Sequence, residues 1–145
     1  MILQTAKLGF RISANESVLD VAVVLDGKIQ WQGCPGTDAK DITVEFDDVD
    51  DQSHVLEFVL SGKLPEHTRI TEQGEITSDV RVRIQDIAFD DISIDQIVSE
   101  LAEYHHNFNG TQPATVDRFY GEMGCNGTVR LEFTTPIYLW LLENM

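Results

Sequence analysis

The chain is patterned mainly with a period of two, because apolar residues occupy every second position in most of its segments. In the first such segment Leu8, Phe10 and Ile12 alternate with Gly9 and Arg11. This spacing gives an extended strand one buried face and one solvated face. The same alternation, or a short apolar run, predicts further strands at 21–25, 29–31, 42–46, 56–60, 80–84, 87–89 and 129–133, with a short hairpin across 70–76.

Two local features refine this pattern. Asp26-Gly27 lies between two apolar segments, and such a pair predicts a type I′ hairpin turn, in which both central residues need positive φ. After Asp86 the alternation slips by one position to Ile87 and Phe89. A slip of this kind predicts a β-bulge or a change of sheet.

One segment follows helical spacing instead of alternation. The apolar residues that carry it are Ile94, Ile97, Val98, Leu101 and Tyr104. Ser93 and Gln96 have the spacing of a capping box, in which each side chain satisfies the other residue's free backbone N–H. We predict a helix over residues 94–105.

The last apolar segment, residues 137–142, is predicted to form a short C-terminal helix. Thr135 is the expected N-cap, and Pro136 suits the first helical position because its missing N–H has no partner there. An edge strand is the alternative. The segment is apolar on every side, so it is expected to be buried in its own domain or against a partner.

About eight or nine short strands with one inserted helix predict an antiparallel, jelly-roll-like β-sandwich. The length of 145 residues suits one domain spanning 1–145. Strands and helices do not alternate, and the chain has neither GxGxxG nor GxxxxGK[ST]. A nucleotide-binding α/β fold is therefore not expected.

The charge balance excludes two classes of partner. The chain has 25 acidic and 10 basic side chains, and its net charge is −15. Nucleic acids and anionic membranes are bound through Lys and Arg, so neither is an expected partner. The sequence shows no signal peptide and no membrane-spanning apolar run. A cytoplasmic or virion-associated location is compatible with these features, and the location itself stays unknown.

The excess acidity is concentrated in the middle of the chain. Residues 41–110 hold seventeen acidic and four basic side chains, a net of −13. Two clusters lie there: the loop 47–51, with Asp48 and Asp50, and the pair Asp90-Asp91. Carboxylate oxygens are the ligands that calcium prefers, so these four residues are candidate metal ligands and calcium is the candidate cofactor. The alternative for the first cluster is a solvated loop. The alternative for the second is that Asp91, together with Asp95, favours the positive N-terminus of the predicted helix.

The most distinctive stretch runs from Tyr104 to Gly110. Candidate ligand-binding residues in it are Tyr104, His105, His106, Asn107 and Asn109. Amide and imidazole groups can bind sugar hydroxyls, and aromatic rings can stack on the CH faces of sugars. The alternative is a helix C-terminus, where His favours the negative end and Asn adopts a left-handed turn.

Signals for catalysis are weak. The chain has no GxSxG and no HExxH motif, and no local signature surrounds Cys34 or Cys125. The absence of a secretion signal favours two free thiols over a disulfide. The glycine-rich stretch 119–127 is interpreted as a packing loop, with close approach to a ligand as the alternative.

The span from Leu56 to Val98 resembles the second half of the calcium-dependent carbohydrate-binding modules of the xylan-binding type. The resemblance is carried by Val80-Arg81-Val82-Arg83-Ile84, followed by Phe89-Asp90-Asp91-Ile92-Ser93-Ile94-Asp95-Gln96-Ile97. It implies a jelly-roll sandwich in which Asp90 and Asp91 help to hold a calcium ion that contacts sugar hydroxyls. In composition, the acidic all-β chain is also similar to accessory proteins of marine phages.

Three functional hypotheses follow. The first is a non-catalytic β-sandwich that binds carbohydrate, with calcium as a candidate cofactor. The second is a structural or virion-associated interaction protein that forms a homo-oligomer through residues 137–142. The third is a small glycoside-active enzyme.

Overall fold

The computed structural model describes residues 4–145, which form antiparallel sheets and two α-helices. In chain order the strands are β1 (Thr5–Ala14), β2 (Asp20–Leu25), β3 (Lys28–Gly33), β4 (Lys40–Asp47), β5 (Gln52–Ser61), β6 (Thr68–Ile70), β7 (Ile76–Asp79), β8 (Val82–Phe89), β9 (Ile92–Ser93), β10 (Glu103–His106), β11 (Thr115–Arg118), β12 (Glu122–Met123) and β13 (Gly127–Thr135). The helices are α1 (Asp95–Leu101) and α2 (Ile137–Asn144), and a 3₁₀ turn spans Pro65–His67.

Two large sheets make up most of the fold. The first has the order β12-β8-β1-β4, with β9 paired to β8, and the second has the order β11-β10-β13-β5-β2-β3. Strands β6 and β7 pair separately as a small hairpin. Neighbouring strands are often distant in sequence, as β13 and β5 are, so non-local pairing holds the sheets together.

The core lies between the two sheets and is built from the alternating apolar residues. In β1 the buried positions include Leu8, Phe10 and Ile12, as the period-two pattern predicts. Phe10 meets Phe58 of the second sheet edge to face, with ring centroids 5.2 Å apart. The prediction of an antiparallel β-sandwich is therefore confirmed.

The two local strand predictions are also confirmed. Asp26 and Gly27 have φ values of 51° and 80° in the turn between β2 and β3. The register of β1 against β8 shifts between Gly9 and Arg11, and Asp86 has a φ of 54° at the same place. The bulge returns Ile87 and Phe89 to the buried face of β8.

The inserted helix is shorter than its spacing predicts. It ends at Leu101, and Tyr104 and His105 belong to strand β10. The predicted helix is too long because Tyr104 fits the helical spacing and also, with His106, the alternation of a strand. Pairing of β10 with β11 and β13 satisfies the backbone groups of this segment, so it forms a strand.

The predicted capping box is also wrong. Ile94 occupies the N-cap position without a side-chain cap, and Ser93 lies in β9. Asp95 instead accepts a hydrogen bond from the backbone N–H of Ile87 at 2.9 Å, which ties the first turn of α1 to β8.

The C-terminal segment is helical, as predicted, and it closes one side of the core. Ile137, Trp140 and Leu141 are buried, whereas Tyr138, Leu139 and Leu142 are exposed. Thr135 does not cap the helix, because its hydroxyl bonds the carbonyl of Val49. The backbone N–H of Ile137 donates to Asp48 Oδ1 at 2.8 Å, so a distant carboxylate satisfies the helix start.

A buried lysine joins three parts of the fold. The side chain of Lys63 has no exposed surface, and its Nζ donates to Asp79 Oδ1 at 2.6 Å, to the Val80 carbonyl at 2.6 Å and to the Gly124 carbonyl at 2.8 Å. Burial alone raises the pKa of Asp79, but the hydrogen bonds from Lys63 and Thr68 outweigh it and hold that pKa below its ordinary value. Lys63 thus connects the end of β5 to the β7–β8 link and the loop before β13.

Cys34 and Cys125 are both free thiols, as the sequence predicts. Among residues 4–145, neither helix has the length and hydropathy required to span a bilayer.

Candidate functional site

The segment that the sequence marks for ligand binding divides between two faces of the second sheet. Tyr104 and His106 are buried, because alternate residues of β10 point into the sandwich. His105 lies on the outer face, and its Nε2 is 3.9 Å from Glu103 Oε1. Asn107 and Asn109 follow in the loop that leads to β11. The structure therefore gives these five residues different tasks.

His106 anchors β10 to β11. Its Nε2 lies 2.6 Å from Asp117 Oδ2, and the backbone N–H of Phe108 donates to its Nδ1 at 3.4 Å. Since Nδ1 accepts, Nε2 carries the proton that is donated to Asp117. The imidazole also lies between the rings of Tyr104 and Phe108, at centroid distances of 4.7 and 4.6 Å. This packing holds the His106 side chain in place beneath the loop that joins β10 to β11.

Tyr104 holds the opposite loop in place. Its hydroxyl donates to the carbonyl of Cys125 and accepts from the backbone N–H of Cys125 at 2.9 Å. Burial raises the pKa of the Tyr104 phenol, so it stays protonated at neutral pH and remains a donor. The glycine-rich stretch before β13 is thereby fastened to β10.

The two asparagines shape the loop after β10. Asn107 Oδ1 accepts from the backbone N–H of Gly110 at 2.8 Å, and Asn109 Oδ1 accepts from the backbone N–H of Asn126 at 2.8 Å. Asn109 has a φ of 59°, a left-handed conformation that asparagine tolerates better than most residues do. Each side chain thus commits its oxygen to the protein.

These elements enclose a surface pocket of about 350 Å³. Its lining is His105, His106, Asn107, Ala114, Thr115, Val116, Asn126 and Gly127. A β-carbon at Gly127 would lie 2.3 Å from the carbonyl oxygen of His105, so only glycine allows β13 to approach β10 here. The volume is at the lower end of the range of small-molecule sites, about 300–1,000 Å³.

The sequence does not predict that strand β11 and Asn126 line this pocket. Thr115 and Val116 belong to β11, which has a single apolar residue and shows no alternation. Asn126 belongs to the glycine-rich stretch 119–127 and is brought next to Asn109 by the pairing of β10 with β13, which the sequence does not show.

The acidic candidates lie at one end of the first sheet. Residues 47 and 89, at the ends of β4 and β8, both flank the start of β1. Asp90 and Asp91 form the two-residue turn between β8 and β9, with φ values of 47° and 67°. Asp90 Oδ1 accepts from the backbone N–H of Lys7 at 2.8 Å. Asp90 therefore has a local structural role. Of Asp91 and Asp95, the two residues that the alternative places at a helix N-terminus, Asp95 lies in the first turn of α1.

The acidic loop after β4 has a similar role. Asp48 uses one carboxylate oxygen on the backbone N–H of Ile137, and Asp50 is exposed. Within residues 4–145, no three acidic, histidine or cysteine side chains form a group able to hold a metal ion. The side chains as placed do not provide the six to eight oxygens of a calcium site.

Comparison with known proteins supports the fold. No protein-family model matches the sequence, and no curated protein matches it either. Two solved structures do share its fold. The structure of vCBM60 in complex with galactobiose has a TM-score of 0.51 and 11% identity, over 86% of this chain and 96% of that one.

The second structure is a selenomethionine form of vCBM60, from work on circular permutation between two families of calcium-dependent carbohydrate-binding modules. It has a TM-score of 0.51 and 9% identity, over 87% of this chain and 89% of that one. Both structures have a fold similar to that of this chain. The resemblance predicted from residues 56–98 is confirmed at the level of the fold.

Proposed function

We propose that the protein is a non-catalytic module that binds carbohydrate in the pocket beside β10. The main support for this proposal is that residues 105–107, which belong to the segment rich in histidine, asparagine and aromatic residues, line a pocket on this fold. Both helices pack on the core between the two large sheets, which supports treating residues 1–145 as a single domain.

The chemistry of the pocket suits a neutral sugar. His105 presents an imidazole that is about half exposed, and the amide N–H groups of Asn107 and the hydroxyl oxygen of Thr115 lie around it. The Asn126 amide is bonded to the main chain of Lys63 and keeps one N–H for a ligand. Sugar hydroxyls both donate and accept hydrogen bonds, so such groups can satisfy them. Ala114 and Val116 provide the small apolar surface on which a CH face can rest.

Substitution of His105 with alanine tests this proposal. We expect affinity for a bound neutral disaccharide to fall by about tenfold, or roughly 1.4 kcal/mol, because a hydrogen bond and a ring contact are lost. Binding would be measured by titration calorimetry with a panel of neutral disaccharides that includes galactobiose, the ligand in the vCBM60 complex.

The matched control is His67→Ala, which removes the same side chain from the 3₁₀ turn outside the pocket. It is expected to leave the affinity unchanged. Failure to bind any sugar of the panel, or equal loss in both variants, contradicts the proposal. Release of new reducing ends on prolonged incubation would favour the glycoside-active enzyme instead.

Calcium binding by Asp48, Asp50, Asp90 or Asp91 stays a prediction from the sequence. A protein that binds calcium only when folded gains about 2.7 kcal/mol at one hundred times the dissociation constant, so the prediction requires a calcium-dependent rise in Tm. The rise should be reversed by a chelator and lost in the double variant Asp50→Asn, Asp91→Asn. A Tm independent of calcium contradicts it.

An interaction protein is the second candidate, and one observation favours it. Tyr138, Leu139, Leu142 and Met145 are all more than half exposed on one short terminal segment. Contiguous apolar surface of this kind marks contact sites. We expect the wild-type protein to exceed its chain mass of 16.3 kDa in sedimentation, and the double variant Leu139→Glu, Leu142→Glu to return to it. A monomeric wild type contradicts this candidate.

A further inference from the structure

A second cavity, of about 510 Å³, lies on the outer face of the first sheet. Unlike the rest of this acidic chain, it is lined by two arginines. Arg83 belongs to β8, and Arg81 precedes that strand. The side chains of Arg81 and Arg83 are 53% and 58% exposed, so both guanidinium groups are accessible from solvent.

Strand register sets the base of this cavity. Arg83 pairs with Glu122 of β12 on one side and with Ser13 of β1 on the other. Glu122 Oε1 accepts from Arg83 Nη2 at 2.9 Å, and its Oε2 accepts from Arg81 Nη1 at 3.3 Å. The hydrogen bond from Arg83 lowers the pKa of Glu122, which stays charged and orients both guanidinium groups.

Hydrogen bonds of Asn15 hold the wall of the cavity opposite Glu122 in place. Asn15 Nδ2 donates to the Asp79 carbonyl at 2.6 Å, and Asn15 Oδ1 accepts from the backbone N–H of Arg81 at 2.8 Å. Behind this wall, Asp79 is neutralised by the buried Lys63. Two arginines and one lysine thus face Glu122 and Asp79, which leaves a local excess of one positive charge in a chain of net charge −15.

We propose that this cavity binds the carboxylate of a uronic acid unit in a glycan. Each guanidinium has five N–H donors. Glu122 accepts one from each, and Arg81 Nε also lies 3.9 Å from Asp79 Oδ2, so donors remain for a second carboxylate, most of all on Arg83. The hydroxyl groups of Ser13, Thr37 and Ser78 line the same cavity and can meet sugar hydroxyls. A local excess of one positive charge matches a monoanion better than a dianionic phosphate.

This inference rests on the proposed function for the class of ligand, but it concerns a different surface. The test compares trigalacturonate with galactotriose, which has the same ring framework without the carboxylates. We expect the wild-type protein to prefer trigalacturonate by at least tenfold at low salt. The double variant Arg81→Gln, Arg83→Gln should lose that preference, because it removes both guanidinium groups.

The matched control is Arg130→Gln, which removes an exposed arginine that pairs with Glu132 on the other sheet. It should retain the preference, and so should His105→Ala, even where that variant loses neutral sugars. Glu122→Gln gives an independent readout without loss of a cation. It removes a competing carboxylate and should tighten trigalacturonate binding by about threefold or more.

Four results would overturn the inference. The first three are equal affinity of the wild type for both trisaccharides, a preference that survives loss of both arginines in a folded variant, and weaker trigalacturonate binding by Glu122→Gln. Competition by inorganic phosphate as strong as that by galacturonate would also overturn it, since the cavity would then select charge alone. A wild-type protein that binds no neutral sugar but still prefers trigalacturonate would instead refute the proposed function and leave this inference intact.

Discussion

Replacing Lys63 with methionine is expected to destabilise the protein by about 3–5 kcal/mol, the typical result of removing one partner of a buried ion pair. The ammonium group satisfies a carboxylate of Asp79 and the carbonyls of Val80 and Gly124. Methionine fills a similar volume but donates no hydrogen bond. The three oxygens would therefore keep their desolvation cost without a partner.

Urea unfolding followed by tryptophan fluorescence measures this change. Lys28→Met is the matched control, because Lys28 is an exposed residue at the start of β3. Its effect should stay within about 0.5 kcal/mol. Equal midpoints for the two variants would show that the buried ammonium group is not needed for stability.

Lys63→Met should also change how the free energy of unfolding depends on pH. The pKa of Asp79 is lowered in the folded protein, so its contribution to stability is present above the ordinary value of 3.8 and is lost as pH falls through the lower folded value. Without Lys63 the pKa of Asp79 loses the strongest of the causes that lower it, so that contribution becomes smaller. The difference in stability between wild type and Lys63→Met should therefore narrow below about pH 4.

Replacing Trp140 with alanine is expected to cost about 3–5 kcal/mol, the range for deleting a large buried aromatic side chain. Trp140 meets Phe89 edge to face at 5.7 Å and Phe133 at 6.2 Å between ring centroids. These two rings belong to opposite sheets, so the indole seals the sandwich at one end. The cavity left by alanine cannot close unless α2 moves.

Tyr138→Ala provides the control on the same helix, because Tyr138 is exposed. We expect a loss below about 1 kcal/mol for it, from propensity and surface contacts only. Thermal unfolding of both variants would separate the contribution of the buried face of α2 from that of its exposed face. A Trp140→Ala variant as stable as wild type would mean that the helix contributes nothing to the core.

The sequence was informative where one strand face decides the outcome. The alternation in β1, β4, β5 and β13 predicts their buried residues, because a strand with one core face must repeat every two positions. Asp26-Gly27 predicts its turn because few residue pairs tolerate two positive φ values. Such signals are local, and sequence shows them directly.

Other features depend on pairing between distant segments. Strand β11 has one apolar residue and exists because β10 offers it an edge. The helix prediction overran into β10 for the same reason, since local periodicity cannot show that a sheet edge competes for the backbone. The pocket lining and the arginine pair at Glu122 follow from register, which no local pattern encodes.

Lys63 also bonds to a residue of each of the two proposed ligand sites. Its main chain exchanges two hydrogen bonds with the side chain of Asn126, which lines the pocket beside β10. Its ammonium group fixes Asp79, which lines the arginine cavity. Replacement of Lys63 is therefore expected to disturb both proposed sites at once, because the same residue bonds to Asn126 on one side and to Asp79 on the other.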